Sequence, residues 1–433
     1  MSFSTFALHR DLLRAVDDLG WAAPTPVQRD AIPPALAGRD VLACAMTGSG
    51  KTAAFLLPIL HRLLGLGRGV TRVLVLAPTR ELAAQIDEHR RELACHTRLT
   101  GAAVFGGVAM GPQTEAIRRG VDVLVATPGR LLDHFQAPAA RLAGLEVLVL
   151  DEADRMLDMG FLPDIRRILR QLPAARQTLF FSATIPPPIV ALAREMLRQP
   201  VAIQVDRPAA PAVGVSHTAY PVHEALKSRL LLEILKQPGV RSVLAFTRTK
   251  HRANRLADFL ARHGVGVERI HGNRSQAQRT LALAGFKDGR FQVLVATDIA
   301  ARGIDIDALS HVVNFDVPAL PDDYVHRVGR TARAEAVGDA FTLVSPAEEG
   351  DLRTIQRTLQ TPLTRVTLPG FDYGQRTTDK LEVPLAERIA LIRARKAEER
   401  GRARANAERR HLHPAGRRPG GHPAGPPSGR AAR

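Results

Sequence analysis

"DVLACAMTGSGKTAAFLLPILHRLL", residues 40–64, decides the fold, because a short apolar run passes through a glycine-bracketed turn into an Ala/Leu-rich segment. Strand, tight turn and helix in that order form the junction at which parallel sheets bind phosphates. The turn "AMTGSGKT" (45–52) fits a phosphate-binding loop, with Ala45 where the general pattern has its first glycine. Gly48 and Gly50 let backbone N–H groups curl around phosphates, with Thr47 and Ser49 completing the turn. Lys51 reaches the outer phosphates, and Thr52 offers its hydroxyl to Mg2+. A glycine-rich turn without chemistry is the bland alternative, and the strand-to-helix context argues against it.

About a hundred residues on stands "LEVLVLDEADRMLDMGF", 145–161. Val147 to Leu150 read as a fully buried parallel strand, and its abrupt ending in Asp151, Glu152 and Asp154 is costly unless a cation meets the carboxylates. With the phosphate loop upstream, that cation is the Mg2+ that bridges nucleotide phosphates. Asp151 holds it, and Glu152 orients or activates the attacking water. Alone, the acids would be an ordinary helix N-terminus. Together the two segments point to ATP hydrolysis.

Similar runs recur outward from this pair. "RVLVLAPT" (72–79), "VDVLVAT" (121–127), "TLFFSAT" (178–184) and "VAIQV" (201–205) alternate with amphipathic segments, as βα units do. The Pro/Ala/Gly-rich "DRPAAPAVGVS" (206–216) reads as a linker. Strand signals resume at "SVLAFT" (242–247), "VERIHG" (267–272), "FQVLVAT" (291–297), "HVVNFD" (311–316) and "DAFTLVS" (339–345). "VLVAT" stands in both halves, at 123–127 and 293–297, a weak sign of two related domains. The expected organisation is a first domain over 1–205, the linker, a second domain over 217–368 and a tail over 369–433.

The chain has 433 residues, 45% of them hydrophobic, enough for two cores. A formal net charge of +17 makes a polyanion the first partner to consider, ahead of a membrane, since no long uncharged apolar stretch occurs. From Arg393 to Arg433 twelve Arg or Lys face three acids, a net of +9 in a Pro/Gly/Arg composition that builds no core. This basic tail is expected to be disordered, either as a solvated segment or as a nucleic-acid contact. "MSFSTFALHRDLL" lacks the pattern of a secretory signal, so a cytoplasmic protein is expected. Cys44 and Cys95 form no metal spacing and read as buried small side chains.

The second half carries "HRVGRTARA" (326–334), with Arg327, Arg330 and Arg333 at three-residue intervals. These could be one basic helical face, or Arg330 and Arg333 could be arginine fingers reaching a γ-phosphate across a cleft.

In combination the chain closely resembles the DEAD-box RNA helicases of superfamily 2, especially the bacterial RhlE-like branch, over about residues 3–346. The resemblance implies an α/β fold of two tandem RecA-like domains, each a mainly parallel sheet flanked by helices. "GWAAPTPVQ" (20–28) resembles the Q motif, implying that Gln28 reads the adenine edge and Phe3 stacks on its ring. "SAT" resembles motif III, so Ser182 and Thr184, with Asp154, would couple ATP state to domain closure. "PTREL" (78–82), "GG" (106–107) and "TPGR" (127–130) match RNA-contacting motifs, which assigns Thr79, Arg80, Gly107, Thr127 and Arg130 to the sugar-phosphate backbone. In the second half "HGNRSQAQR" (271–279) implies RNA contacts from Gln276 and Arg279. "ATDIAARGID" (296–305) implies the same for Thr297 and Gly303, with Asp305 on the ATP ribose. His326 would complete the closed catalytic site. Motif VI departs from the family at Ala332 and Glu335, where glycine is usual, and Trp21 replaces the usual Phe or Tyr.

Only 4% of residues are aromatic, so backbone contacts must dominate over base stacking. The preference for RNA over DNA rests on the resemblance. The implied activity is ATP-dependent local unwinding of short duplexes or remodelling of ribonucleoproteins, ribosome-assembly particles among them. Two rival readings stand beside it: a barely turning-over RNA clamp that uses the same site chiefly for binding, and a chaperone that anneals or remodels strands through its basic tail without needing the ATPase.

Overall fold

The computed structural model describes residues 2–46, 48–136, 142–204, 215–301, 309–331 and 338–375. The first half supplies β1 (Val41–Cys44), β2 (Val73–Leu76), β3 (Gly101–Val104), β4 (Val123–Ala126), β5 (Val147–Leu150), β6 (Gln177–Ser182) and β7 (Val201–Gln204). They form one sheet in the order β3-β4-β2-β5-β6-β1-β7. The second half supplies β8 (Val215–Pro221), β9 (Val243–Phe246), β10 (Val267–Ile270), β11 (Val293–Ala296), β12 (His311–Asn314), β13 (Gly338–Val344) and β14 (Thr364–Arg365). Their order is β10-β11-β9-β12-β13-β8-β14.

Counted from its own first strand, the second sheet repeats the order of the first. The ladders of both are parallel. The repeated "VLVA" runs are β4 and β11, each in second place, so the weak sequence repeat marks a full topological one.

Parallel strands joined by helices are covered on both faces, and side-chain alternation shows it. In the first sheet Val73, Val75, Val147 and Val149 pack with Phe55, Leu56 and Ile86 on one side. Their neighbours Leu74, Leu76, Leu148 and Leu150 pack with Leu131, Met156 and Ile165 on the other. Every side chain of β2, β4 and β5 is buried, which is why these strands read as unbroken apolar runs. The loops that follow β1, β2, β4, β5 and β6 therefore emerge together along the carboxyl edge, where open α/β sheets bind ligands.

Three strands lacked a clear signal. β3 is "GAAV" at a sheet edge, half-buried and poor in β-branched residues. β8 begins inside the stretch read as a linker, at Val215, and β14 is two exposed residues. Residues 205–214, and the tail from 376 on, lie outside the described residues. The expectation for the cysteines needs correction: Cys44 is half-buried, and Cys95 is exposed because it falls in the turn after the helix Arg80–Leu93. Among the described residues no helix is long and apolar enough to cross a membrane.

Candidate active site and RNA-facing surface

The loop after β1 forms a cradle because Gly48 (φ 81°) and Gly50 (φ 93°) take left-handed backbone that other residues resist. A Cβ on Gly50 would also lie 2.5 Å from Gln28 Nε2. Gln28 is drawn in by the N-terminus of the helix Pro26–Leu36: its Oε1 accepts from the Thr25 amide at 2.9 Å, while Nε2 donates to the Gly50 carbonyl at 3.1 Å. The Q-motif glutamine thus touches the phosphate loop directly. Lys51 opens the next helix, Lys51–Leu63, is 5% exposed and donates to the Ala45 carbonyl at 3.0 Å. The Ser49 hydroxyl donates to Met46 O at 2.7 Å, and Thr52 follows Lys51 on the first helical turn. Thr47 lies outside the described residues.

Phe3 differs from expectation. Its ring is buried, with the Phe6 centroid 6.1 Å away and Trp21 6.2 Å away. The three aromatics pack on one another.

Asp151 ends β5, its amide donating to Leu76 O at 3.0 Å. Burial pushes its carboxyl up to about 6; Lys51 opposes the rise, and Glu152 and Asp154 add to it. Its Oδ1 is buried and has no hydrogen-bond partner. Glu152 sits in left-handed backbone (φ 53°), buried, with Arg155 Nε 3.3 Å from its Oε2. Asp154 accepts from the Thr184 amide at 2.7 Å and the Thr184 hydroxyl at 2.9 Å. Its own amide donates to Ser182 Oγ at 3.2 Å, and that hydroxyl donates to Thr184 O at 2.6 Å. The end of β6 and the "DEAD" turn are therefore one hydrogen-bonded unit.

A second cluster occupies the edge beyond β2, β3 and β4. Thr79 caps the helix Arg80–Leu93 by accepting from Leu82 N at 3.2 Å. Gly106 and Gly107 make room for Arg80: a Cβ on Gly107 (φ 84°) would fall 1.9 Å from its Nη1. Thr127 precedes Pro128 at the start of the helix Pro128–Phe135, and Arg130 on that helix donates to Val108 O at 3.3 Å. Three short motifs distant in sequence thus present Thr79, Arg80, Gly107, Thr127 and Arg130 on one surface.

The second domain meets this surface through Glu81. Gln276 Nε2 donates to Glu81 Oε1 at 3.0 Å, and Arg279 Nη2 lies 3.0 Å from Glu81 Oε2. Arg279 also donates to Ala300 O at 3.1 Å, in the short helix that follows Thr297. Burial lowers the Arg279 pKa, with Glu81 opposing and Arg80 reinforcing the effect. Glu81 stands inside "PTREL", beside Thr79 and Arg80, and only the fold reveals its role as the link to the second domain.

His326 and Arg330 line one small cavity with Phe246, Asp298, Ala301, Asp323 and Arg327. Arg327 holds this wall together. Its guanidinium takes both Asp298 oxygens at 2.6 and 2.8 Å, Asn314 Oδ1 at 3.0 Å and Asp316 O at 2.7 Å, and lies over the Phe246 ring. The three-residue arginine spacing was its only sequence signal. Gly303, Asp305 and Arg333, with Ala332 and Glu335, lie outside the described residues.

The DEAD/DEAH box helicase family matches residues 25–192, and the helicase conserved C-terminal domain matches 226–335. The DEAD-box ATP-dependent RNA helicase CshA of Geobacillus kaustophilus is 40% identical over 371 residues, covering 86% of this chain and 79% of that one. The Bacillus subtilis CshA is 38% identical over 392 residues, covering 89% and 79%. Among solved structures, S. cerevisiae Dbp5 bound to RNA and ADP BeF3 superposes with a TM-score of 0.76 at 31% identity, covering 84% of this chain and 95% of that one. A DEAD box protein from Methanococcus jannaschii gives 0.50 at 33% identity, covering 84% and 99%. The chain belongs to the DEAD-box ATP-dependent RNA helicases.

Proposed function

We propose that ATP bound at Lys51 and Asp151 draws the two domains together on RNA, that closure distorts one strand and separates a short duplex, and that hydrolysis reopens the clamp. The observation that carries this reading is the Glu81 bridge, by which RNA-facing residues of the two domains meet. ATP binding and RNA binding at neighbouring parts of the same carboxyl edge then share a single closing motion.

In this reading Gln28 reads the adenine, keeping one amide N–H and one lone pair beyond its present bonds. Phe3 stacks once its corner opens, and Asp305 takes the ribose. Thr47, Gly48, Ser49, Gly50, Lys51 and Thr52 hold the phosphates. Glu152, steadied by Arg155, orients water, while His326, Arg330 and Arg333 close the site from the second domain. Ser182 and Thr184 report through Asp154. Thr79, Arg80, Gly107, Thr127, Arg130, Gln276, Arg279, Thr297 and Gly303 hold the RNA backbone. Mg2+ fits the residues present, because Asp151 Oδ1 is buried without a partner next to the phosphate cradle. Thr52 and Asp151 would hold the ion, which supplies positive charge to the phosphate oxygens.

Finer assignments belong to the same proposal: the RhlE-like branch, on the wording of the motifs; a cytoplasmic setting, where ATP and RNA occur together; and ribonucleoprotein or ribosome-assembly targets. So do domains over 1–205 and 217–368, the linker between them and a basic tail over 369–433. The test is steady-state ATP hydrolysis without nucleic acid, with single-stranded RNA and with matched DNA, each at two salt concentrations. Stimulation by RNA alone, weakening with salt, is expected. Equal stimulation by DNA contradicts the substrate assignment, and none by either contradicts the motor.

A further inference from the structure

The second domain contains a counterpart of the Lys51 cradle that no motif marked. β8 holds the place in its sheet that β1 holds in the first. β1 leads through the glycine loop, and β8 through a 3-10 turn over Glu224–Leu226, into a helix whose first two residues are lysine and a hydroxyl residue, Lys51–Thr52 in Lys51–Leu63 and Lys227–Ser228 in Lys227–Leu235. Each ammonium donates to a backbone carbonyl, Lys51 to Ala45 at 3.0 Å and Lys227 to Phe315 at 2.9 Å. An aspartate stands just past the fifth strand in both domains. The Asp151 amide donates to Leu76, the last residue of β2, and the Asp316 amide to Phe246, the last of β9.

What differs is the occupant. The Glu348 carboxylate lies 2.5 Å from Lys227 Nζ. It also accepts from the Ser345 amide at 3.1 Å, the Ser345 hydroxyl at 2.7 Å and the Val317 amide at 3.1 Å. An ammonium, a hydroxyl and two backbone amides are the donors that a bound phosphate receives. Lys227 is fully buried, and Ser228 Oγ, in the place of Thr52, is buried without a hydrogen-bond partner. The nearest other carboxylates to Lys227 are Glu224 at 3.5 Å and Asp316 at 3.8 Å, and both are engaged by Arg252.

We propose that the Lys227 ammonium, the Ser345 amide and hydroxyl and the Val317 amide form an oxyanion cradle that Glu348 fills from within the chain. The second domain is thereby silent toward nucleotide phosphates, and it holds a latent site for phosphate or sulfate that opens when the carboxylate is removed.

The test uses the full chain with Lys51→Ala, so that the first cradle does not respond, and adds Glu348→Ala. Thermal unfolding is followed in inorganic phosphate, in ADP and in chloride at matched ionic strength. Phosphate is expected to raise the Tm of the double variant over chloride by about 2–4 °C at saturating concentration. Neither the Lys51→Ala parent nor the triple variant with Lys227→Met should respond. ADP should act no better than phosphate, since nothing in this cradle is argued to bind a base. A response absent from the double variant, or equal in all three, overturns the proposal. Should Glu348→Ala fold only in phosphate, that supports the cradle. Should it fold in neither buffer, the milder truncation Glu348→Ser takes its place: phosphate must raise its Tm over chloride and adding Lys227→Met must abolish the rise, and no rise overturns the proposal.

Discussion

The two domains share one strand order and part company at the first helix. In the first, the lysine and aspartate of the cradle carry strain: Asp151 is buried with an unsatisfied oxygen, and its pKa is pushed up to about 6. In the second, the same geometry is saturated. Burial would raise the Glu348 pKa, but Lys227 and then Ser345 more than offset it and hold it below the ordinary carboxylate range. The fold supplies the cradle twice, and chemistry is available only where buried charge has been left for a ligand to complete. A polar cluster that satisfies itself gives stability, whereas one that does not gives function at a stability cost.

Breaking each side of this comparison has a different signature. The largest effect is expected for Glu152→Gln, which should lower multiple-turnover hydrolysis by about 10²–10⁴-fold while ATP-dependent RNA binding persists. Hydrolysis and RNA fluorescence anisotropy on one preparation check both halves. Next comes Lys227→Met, which leaves the buried Glu348 carboxylate with the exposed Arg248 guanidinium at 3.5 Å in place of its buried ammonium, and should cost about 3–5 kcal/mol in denaturant unfolding.

Asp151→Asn tests the strain in the first cradle. Because folding raises the Asp151 pKa, its stabilising contribution is present below about pH 4 and is lost as pH rises through about 6. Without nucleotide the asparagine variant should therefore gain on the native chain between those values, by about 3 kcal/mol at most. A Tm series from pH 4 to 8 reads the gain, and a constant difference would show that Asp151 is not strained. The smallest effect is expected for Glu81→Gln, which weakens the Gln276 and Arg279 contacts between the two domains. RNA-stimulated hydrolysis should fall about tenfold in kcat/KM, with basal hydrolysis little changed.

Much of this was legible in the chain because buried parallel strands have one reading. "VLVL" at β2 and β5 and "VLVA" at β4 and β11 are apolar on both faces, and Gly-x-Gly-Lys-Thr needs its glycines for backbone shape. β3 was not legible because an edge strand of Gly and Ala has neither bulk nor alternation. β8 was masked by the Pro/Ala-rich run before it. In the site, the residues proposed for nucleotide and RNA stand in recognisable strings. The partners that hold them are not legible there: Glu81 and Arg327 stand inside such strings and Lys227 in none, but all three act through partners 195, 29 and 121 positions away, as in Glu81–Gln276, Arg327–Asp298 and Lys227–Glu348. Such pairings are made by the fold, and no local pattern announces them.

One lysine serves chemistry and its topological twin serves stability. RNA-stimulated ATP hydrolysis and unfolding midpoints of Lys51→Ala and Lys227→Met, measured side by side, test it most directly. The account predicts that Lys51→Ala abolishes turnover at a nearly native midpoint, while Lys227→Met unfolds much earlier yet, where folded, turns over within about tenfold of the native rate. A folded Lys227→Met protein as inactive as Lys51→Ala would contradict it.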